Sequence, residues 1–219
     1  MLLKKFWFGL VVFLFSCSSQ IDIELFVNGE ASITVQSKIQ QALKLYWNDL
    51  KELDSSLPSD LIEASLISGS LKQNPEVHSV VSRSNQNENV TQVRLKSWQQ
   101  VLRNELSGLP SSTFRISNNS IDIPLKPSLY LKTANISVDE IFPEGTSIGE
   151  IEKSLVDIFQ DYTANPLVMI RDSQFQLSIK APRPVISSNG ILGSDNRTVR
   201  WNFSLVQALN GQQRIRLSW

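Results

Sequence analysis

The chain carries three Asn-Gly pairs, at 28–29, 189–190 and 210–211, and the first is flanked on both sides by segments that alternate apolar and polar residues. Ile21-Asp-Ile-Glu-Leu-Phe-Val27 precedes it and Ala31-Ser-Ile-Thr-Val35 comes after it. Strand side chains alternate between faces with a period of two, and Asn-Gly accepts the positive φ angles of a tight turn. The segment therefore predicts a β-hairpin with one buried face. Val77–Arg83 and Val90–Lys96, parted by a polar turn, predict a second hairpin. Phe114–Ile116 and Ile121–Leu125 predict a third around Asn118-Asn119, with Leu129–Leu131 as an extension. Phe175–Ile179, Arg197–Leu205 and Arg214–Trp219 close the chain as strands, with the remaining Asn-Gly pairs read as their turns.

Between the hairpins the period changes to that of a helix. Ile39, Leu43, Tyr46, Leu50 and Leu53 form one stripe, and Ser37 with Gln40 has capping-box spacing, so residues 38–54 predict a helix ended by Leu57-Pro58. A short helix is expected over 59–68. Ser97–Ser107 is expected to be helical, with Trp98, Val101, Leu102 and Leu106 inward. Ser147 and Glu150 open the clearest helix, 147–162, whose stripe is Ile148, Ile151, Leu155, Ile158 and Tyr162, with Pro166 ending it. Recurrent hairpins without strict β-α alternation indicate an α+β fold: an antiparallel sheet of seven to nine strands with two to four amphipathic helices packed on one face.

Chemistry has few carriers. One Cys and one His exclude a disulfide framework and any zinc site built from several Cys or His. Lys+Arg and Asp+Glu both number 21, which argues against a nucleic-acid binder held by a broad basic surface. His78 lies in an expected strand and no G-x-S-x-G elbow presents a serine, so a hydrolytic triad is not indicated. Asp139, Glu140 and Glu144 read as a solvated loop, and no phosphate loop or dinucleotide fingerprint occurs. No cofactor or metal is expected. Lys180, Arg183, Arg197 and Arg200 make the last third locally basic, which suits solvated strand faces or short-range contact with acidic lipid head groups. Five N-x-S/T sequons, at Asn89, Asn118, Asn135, Asn196 and Asn202, read as chance in an Asn- and Ser-rich chain. Trp219 ends the chain after an alternating strand, an ending shared with outer-membrane barrels, but the helices between the strands contradict a barrel.

The first residues are an address. Lys4 and Lys5 precede an apolar run from Phe6 to Phe15, too short to span a bilayer but suited to a signal-peptide core. The run ends Leu14-Phe15-Ser16-Cys17, which resembles a bacterial lipobox with a bulky Phe15. The resemblance implies cleavage between Ser16 and Cys17, an S-diacylglycerol cysteine at Cys17 and an acylated (palmitate-type) amino terminus. Two or more acyl chains hold a protein stably on a bilayer. Residues 1–16 would then be the signal peptide, 17–20 the lipidated Cys and a short linker, and 21–219 a single envelope domain. Removing the signal takes Lys4 and Lys5 and no acid, leaving a net charge of −2.

Phe175–Gly190 together with Asp195–Leu205 resembles the closing part of LppM-type bacterial lipoprotein domains: a strand entering a proline, an Asn-Gly turn, then a strand with a buried Trp. The resemblance implies an α+β domain displayed on an envelope membrane, in contact with lipid or glycolipid, and brings no catalytic residues. The expected function is that of a lipid-anchored binding or structural module, with the outer membrane or cell surface favoured over the inner membrane. Its partners would be the membrane and a lipid, a glycolipid or an envelope protein, with no nucleic acid. An apolar groove between helices and sheet is the expected site, the alternative being that the stripes simply fill the core. The alternatives are an envelope hydrolase using carboxylates and a secreted soluble binding protein.

Overall fold

The computed structural model describes residues 18–38, 40–53, 75–84, 88–105, 114–124, 142 and 145–219. The first strand, β1 (Ser18–Leu25), pairs antiparallel with β2 (Ala31–Lys38) across the Asn28-Gly29 turn, where Gly29 has φ +89°. Helix α1 (Gln41–Leu53) is next, then the hairpin β3 (Val77–Ser84) and β4 (Glu88–Leu95), and helix α2 (Trp98–Glu105). The short pair β5 (Arg115–Ser117) and β6 (Ser120–Pro124) succeeds them. Helices α3 (Ile148–Phe159) and α4 (Pro166–Asp172) lead into β7 (Gln174–Lys180). The chain ends with β8 (Ser187–Ser188), β9 (Ile191–Leu192), β10 (Thr198–Ser204), α5 (Leu205–Asn210) and β11 (Arg214–Ser218).

The strands form two sheets, of order β3-β4-β2-β1-β7-β10-β9 and β5-β6-β11-β8. The α+β class expected from the sequence is what the structure shows, with two differences in detail. The larger sheet is mixed, because β1 and β7 run parallel. That pairing needs the long crossover through β2–β6 and the helices, which hairpin signals do not reveal. The smaller antiparallel sheet is separate, and the two-residue strands β8 and β9 bring the number beyond nine.

Register explains the core. Paired residues share a face, so Val93, Ile33, Ile23, Ile179 and Val199 form one row across five strands of the larger sheet. Leu177 and Trp201 extend the same face, and Ile121, Ile123, Ile215 and Leu217 of the smaller sheet pack in the same core. Trp98, with Val101 and Leu102 of α2, joins that core, and Trp98 meets Trp219 with ring centroids 5.9 Å apart. The opposite face of the larger sheet is polar; Gln36, Gln20, Gln176 and Asn202 lie in one row.

Four helices gather at one end of the larger sheet. Ser18 pairs with Lys38, where β2 runs toward α1, and Ser204 pairs with Gln174, where β10 enters α5 and α4 enters β7. Helix α3 packs on α1, α4 and α5. Leu43, Ile151, Leu155, Phe159, Ile170 and Leu205 are buried there, and the edge of Phe159 meets Tyr46 at 5.8 Å between centroids. Among the described residues, the apolar side chains of α1, α3, α4 and α5 thus pack against one another.

Local expectations divide on capping. The Ser147–Glu150 box forms: the Glu150 amide donates to Ser147 Oγ (3.3 Å), and the Ser147 amide donates to Glu150 Oε2 (2.8 Å). The Ser147 amide, and then the Ser147 hydroxyl donating to the same Oε2 (2.8 Å), hold the Glu150 carboxyl below its usual pKa. Ser37 does not cap α1, because β2 continues through Lys38 and claims its backbone for the sheet. Ile148, expected in the stripe of α3, is exposed in its first turn. Pro166 begins a helix that sequence periodicity does not announce; proline suits the first helical turn, where its missing N–H costs nothing. Ser204 caps α5 through Gln207, and Gly211, at φ +70°, terminates that helix instead of turning a hairpin. The expected helix over 59–68, the extension at 129–131, and Asp139, Glu140, Glu144 and Asn135 lie outside the described residues.

Candidate functional site

Cys17 and Ser16, the processing residues expected from the lipobox, lie outside the described residues. The next two residues in the chain belong to the sheet. Ser18 and Ser19 are paired opposite Lys38 and Ser37, and Ser19 also lies opposite Phe175. The expected linker is therefore part of β1. Ser18, the first described residue, lies at the helix-bearing end of the sheet.

The residues that could carry chemistry are dispersed. His78 is exposed at the irregularity where β3 shifts register between Val77 and Ser79. Among the described residues, no group of three or more His, Cys, Asp or Glu is placed to hold a metal ion. Of the four basic residues singled out between 180 and 200, Lys180 pairs with Glu24 at 2.7 Å, and Arg197 donates through Nε and Nη2 to the Ala181 carbonyl (3.0 and 2.9 Å). Arg183 and Arg200 are exposed. Beside α3, Tyr162 donates to Asp49 Oδ2 at 2.9 Å; burial first, then the Asp49 bond and charge, push its phenol up to about 12. Burial, then its neighbour Tyr162, raises the Tyr46 phenol as well. Both favour neutral phenols and brace the helix cluster.

The end of the sheet remote from Ser18 has a different character. The turn between β1 and β2 is closed by the Phe26 amide donating to the Glu30 carbonyl (2.9 Å) and the Gly29 amide donating to the Phe26 carbonyl (3.1 Å). Asn28 Oδ1 accepts from the Glu30 amide (3.1 Å), and the Trp98 amide donates to the Gly29 carbonyl (3.1 Å), fastening the turn to α2. From this braced turn Phe26 and Val27 project into solvent, 38% and 73% exposed. A depression of about 570 Å³ on one side is edged by His78, Arg94, Lys96 and Glu30. Another of about 660 Å³ is edged by Asn118, Asn119, Pro182, Arg183 and Trp219. Together they present three cations and one carboxylate around an apolar wedge. Alternation assigns Phe26 and Val27 to a strand, and only their adjacency to Asn28-Gly29 marks them as turn residues.

Next to the wedge runs the 181–197 segment, built to be rigid. Asn189 Oδ1 accepts from both Trp201 Nε1 and the Arg216 amide, each at 2.9 Å, while Asn189 Nδ2 donates to the Arg214 carbonyl at 2.8 Å. One side chain thus ties both sheets together, and Asn189-Gly190 is a crossing between sheets, not a hairpin turn. Asp195 accepts from Thr198 Oγ1 (2.6 Å) and from the Arg197 and Thr198 amides (3.0 and 2.9 Å), which hold its carboxyl at about 2. Ile186 stands out of this segment, 79% exposed, anchored by its amide to the Ser218 carbonyl. A rigid backbone displaying exposed apolar side chains is suited to recognition, since little order is lost on contact.

No protein-family model matches the sequence, and no curated protein matches it. Among solved structures, the chain is similar to the NMR structure of the folded domain of Mycobacterium tuberculosis LppM, at 11% identity and a TM-score of 0.39. The alignment covers 92% of this chain and 87% of that one. At that level the likeness establishes neither family nor function.

Proposed function

We propose that this chain is a lipid-anchored protein of the bacterial cell envelope, held through Cys17, whose body acts by binding and not by turnover. Its partner on this reading is a lipid, a glycolipid or an envelope protein. The observation that carries the reading is the polarity of the larger sheet. Ser18 opens β1 at one end, and the Phe26–Val27 wedge with its cationic rims stands at the other. At 3.3 Å per residue, β1 sets the two roughly 23 Å apart. A group on Cys17 and the wedge therefore face opposite ways, one toward the anchoring membrane and one toward whatever the body meets.

The test is native mass spectrometry of the full chain extracted from envelope membranes, with wild type and Val27→Asp compared. Retention of a lipid or a co-purifying envelope component by the wild type, and its loss in the variant, supports the binding reading. Equal retention by both sinks the assignment of binding to this end of the molecule.

A further inference from the structure

The partner can be narrowed from charge and shape, on the reading that Cys17 anchors the other end. We propose that the Phe26–Val27 turn is an interfacial wedge that docks on an anionic lipid surface in trans, so that the protein spans the gap between its own membrane and a second one. Three observations converge. The wedge exposes two adjacent apolar side chains on a backbone locked by four hydrogen bonds. An apolar tip of this kind enters the boundary between head groups and acyl chains without exposing unpaired backbone. The depressions on either side are lined by Arg94, Lys96 and Arg183, with His78 beside them, and by Glu30; Glu24, paired with Lys180, and Asp195 also stand at this end of the sheet. Cations so placed meet phosphate oxygens when the wedge is inserted.

The helices at the opposite end are net acidic. Helices α1, α3 and α4 carry four cations, Lys44, Lys51, Lys153 and Arg171, against six carboxylates. That end gains nothing from an anionic surface beyond what the acyl chains supply, whereas the wedge end is attracted to one. Because β1 holds the wedge at the end remote from Ser18, the surface that the wedge meets is that of a second membrane. A protein partner would call for a broad complementary face; two side chains ringed by cations fit a fluid, anionic surface better.

The acylated full-length chain is reconstituted into fluorescent phosphatidylcholine vesicles. These are mixed with unlabelled vesicles of phosphatidylcholine, or of phosphatidylcholine with phosphatidylglycerol, and clustering is read by light scattering and co-sedimentation. The wild type should cluster the phosphatidylglycerol vesicles and not the neutral ones, less so as salt is raised. Val27→Asp should reduce clustering about tenfold or more, and Arg94→Glu with Arg183→Glu about tenfold. All three positions face solvent, and circular dichroism verifies that the variants fold. A reconstituted chain that ignores anionic vesicles, or a Val27→Asp variant that clusters them as well as the wild type, overturns the wedge. If the chain does not enter the first vesicles, the anchor reading fails instead. Direct flotation of the same chain with phosphatidylglycerol vesicles then decides the wedge: binding lost in Val27→Asp upholds it, and absence of binding overturns it.

Discussion

Gly190 is the position where one added methyl group should do most damage. A Cβ built there would lie 2.6 Å from Trp201 Cε2, 2.6 Å from Val199 Cγ1 and 2.8 Å from the Arg200 carbonyl oxygen. Two of these atoms belong to buried side chains in the shared core, and the third is backbone of β10, paired on both sides. None can withdraw alone. Moving the Trp201 ring stretches its bond to Asn189, and moving Arg200 disturbs the ladder to β7. Overpacking of this kind costs typically 1–3 kcal/mol, and the backbone clash places Gly190→Ala near the top of that range, about 3 kcal/mol. For a chain of this length that corresponds to a fall in Tm of roughly 6–12 °C. The contrast is internal. Gly149, within α3, has nothing within 4 Å of its added Cβ, and Gly149→Ala should stabilise by roughly 0.5–1 kcal/mol through helix propensity. Thermal unfolding of both variants, read by tryptophan fluorescence and far-ultraviolet circular dichroism, measures the difference. A Gly190→Ala protein that melts with the wild type would show that the 181–197 segment does not pack on β10 as described.

Trp201, 4% exposed, should cost about 3–5 kcal/mol when replaced by Ala, read from denaturant unfolding. Asn189→Ala leaves the Trp201 and Arg216 N–H groups without their acceptor and should cost roughly 2 kcal/mol, while Asn189→Asp keeps the acceptor and should cost less. Asp195, held at about 2 against a usual 3.8, contributes stability that is present above pH 3.8 and lost as pH falls toward 2. Acid titration of the Tm should therefore lose part of its slope in that window in Asp195→Asn.

The strands are legible in the sequence because alternation survives wherever one face is buried: Val199, Trp201 and Phe203 are inward, and Arg200 and Asn202 outward, as parity requires. Helix α3 is legible because stripe and capping box agree. The same capping signal at Ser204–Gln207 is hidden by its position at the end of a convincing strand, so α5 reads as β. Pro166 stops one helix and starts another, and only the three-dimensional path distinguishes the roles. Local patterns do not show which ends of the strands coincide. The parallel β1–β7 pair, the helix cluster beside Ser18 and the wedge opposite it all arise from register over long separations. An apolar stripe reads the same whether it meets a ligand or another helix, so the burial of Leu43 and Leu155 within the helix cluster is not legible in the stripe alone.

On the proposed reading, the anchoring and with it the orientation of the molecule depend on Cys17. The most direct measurement is metabolic labelling with a radioactive fatty acid of wild type and Cys17→Ser in a bacterial host, with intact mass spectrometry of the mature chain. Label on the wild type alone, and a mature amino terminus that begins at Cys17 and carries acyl mass, is the predicted result. Equal labelling of both proteins, or an unmodified amino terminus on the wild type, would contradict it.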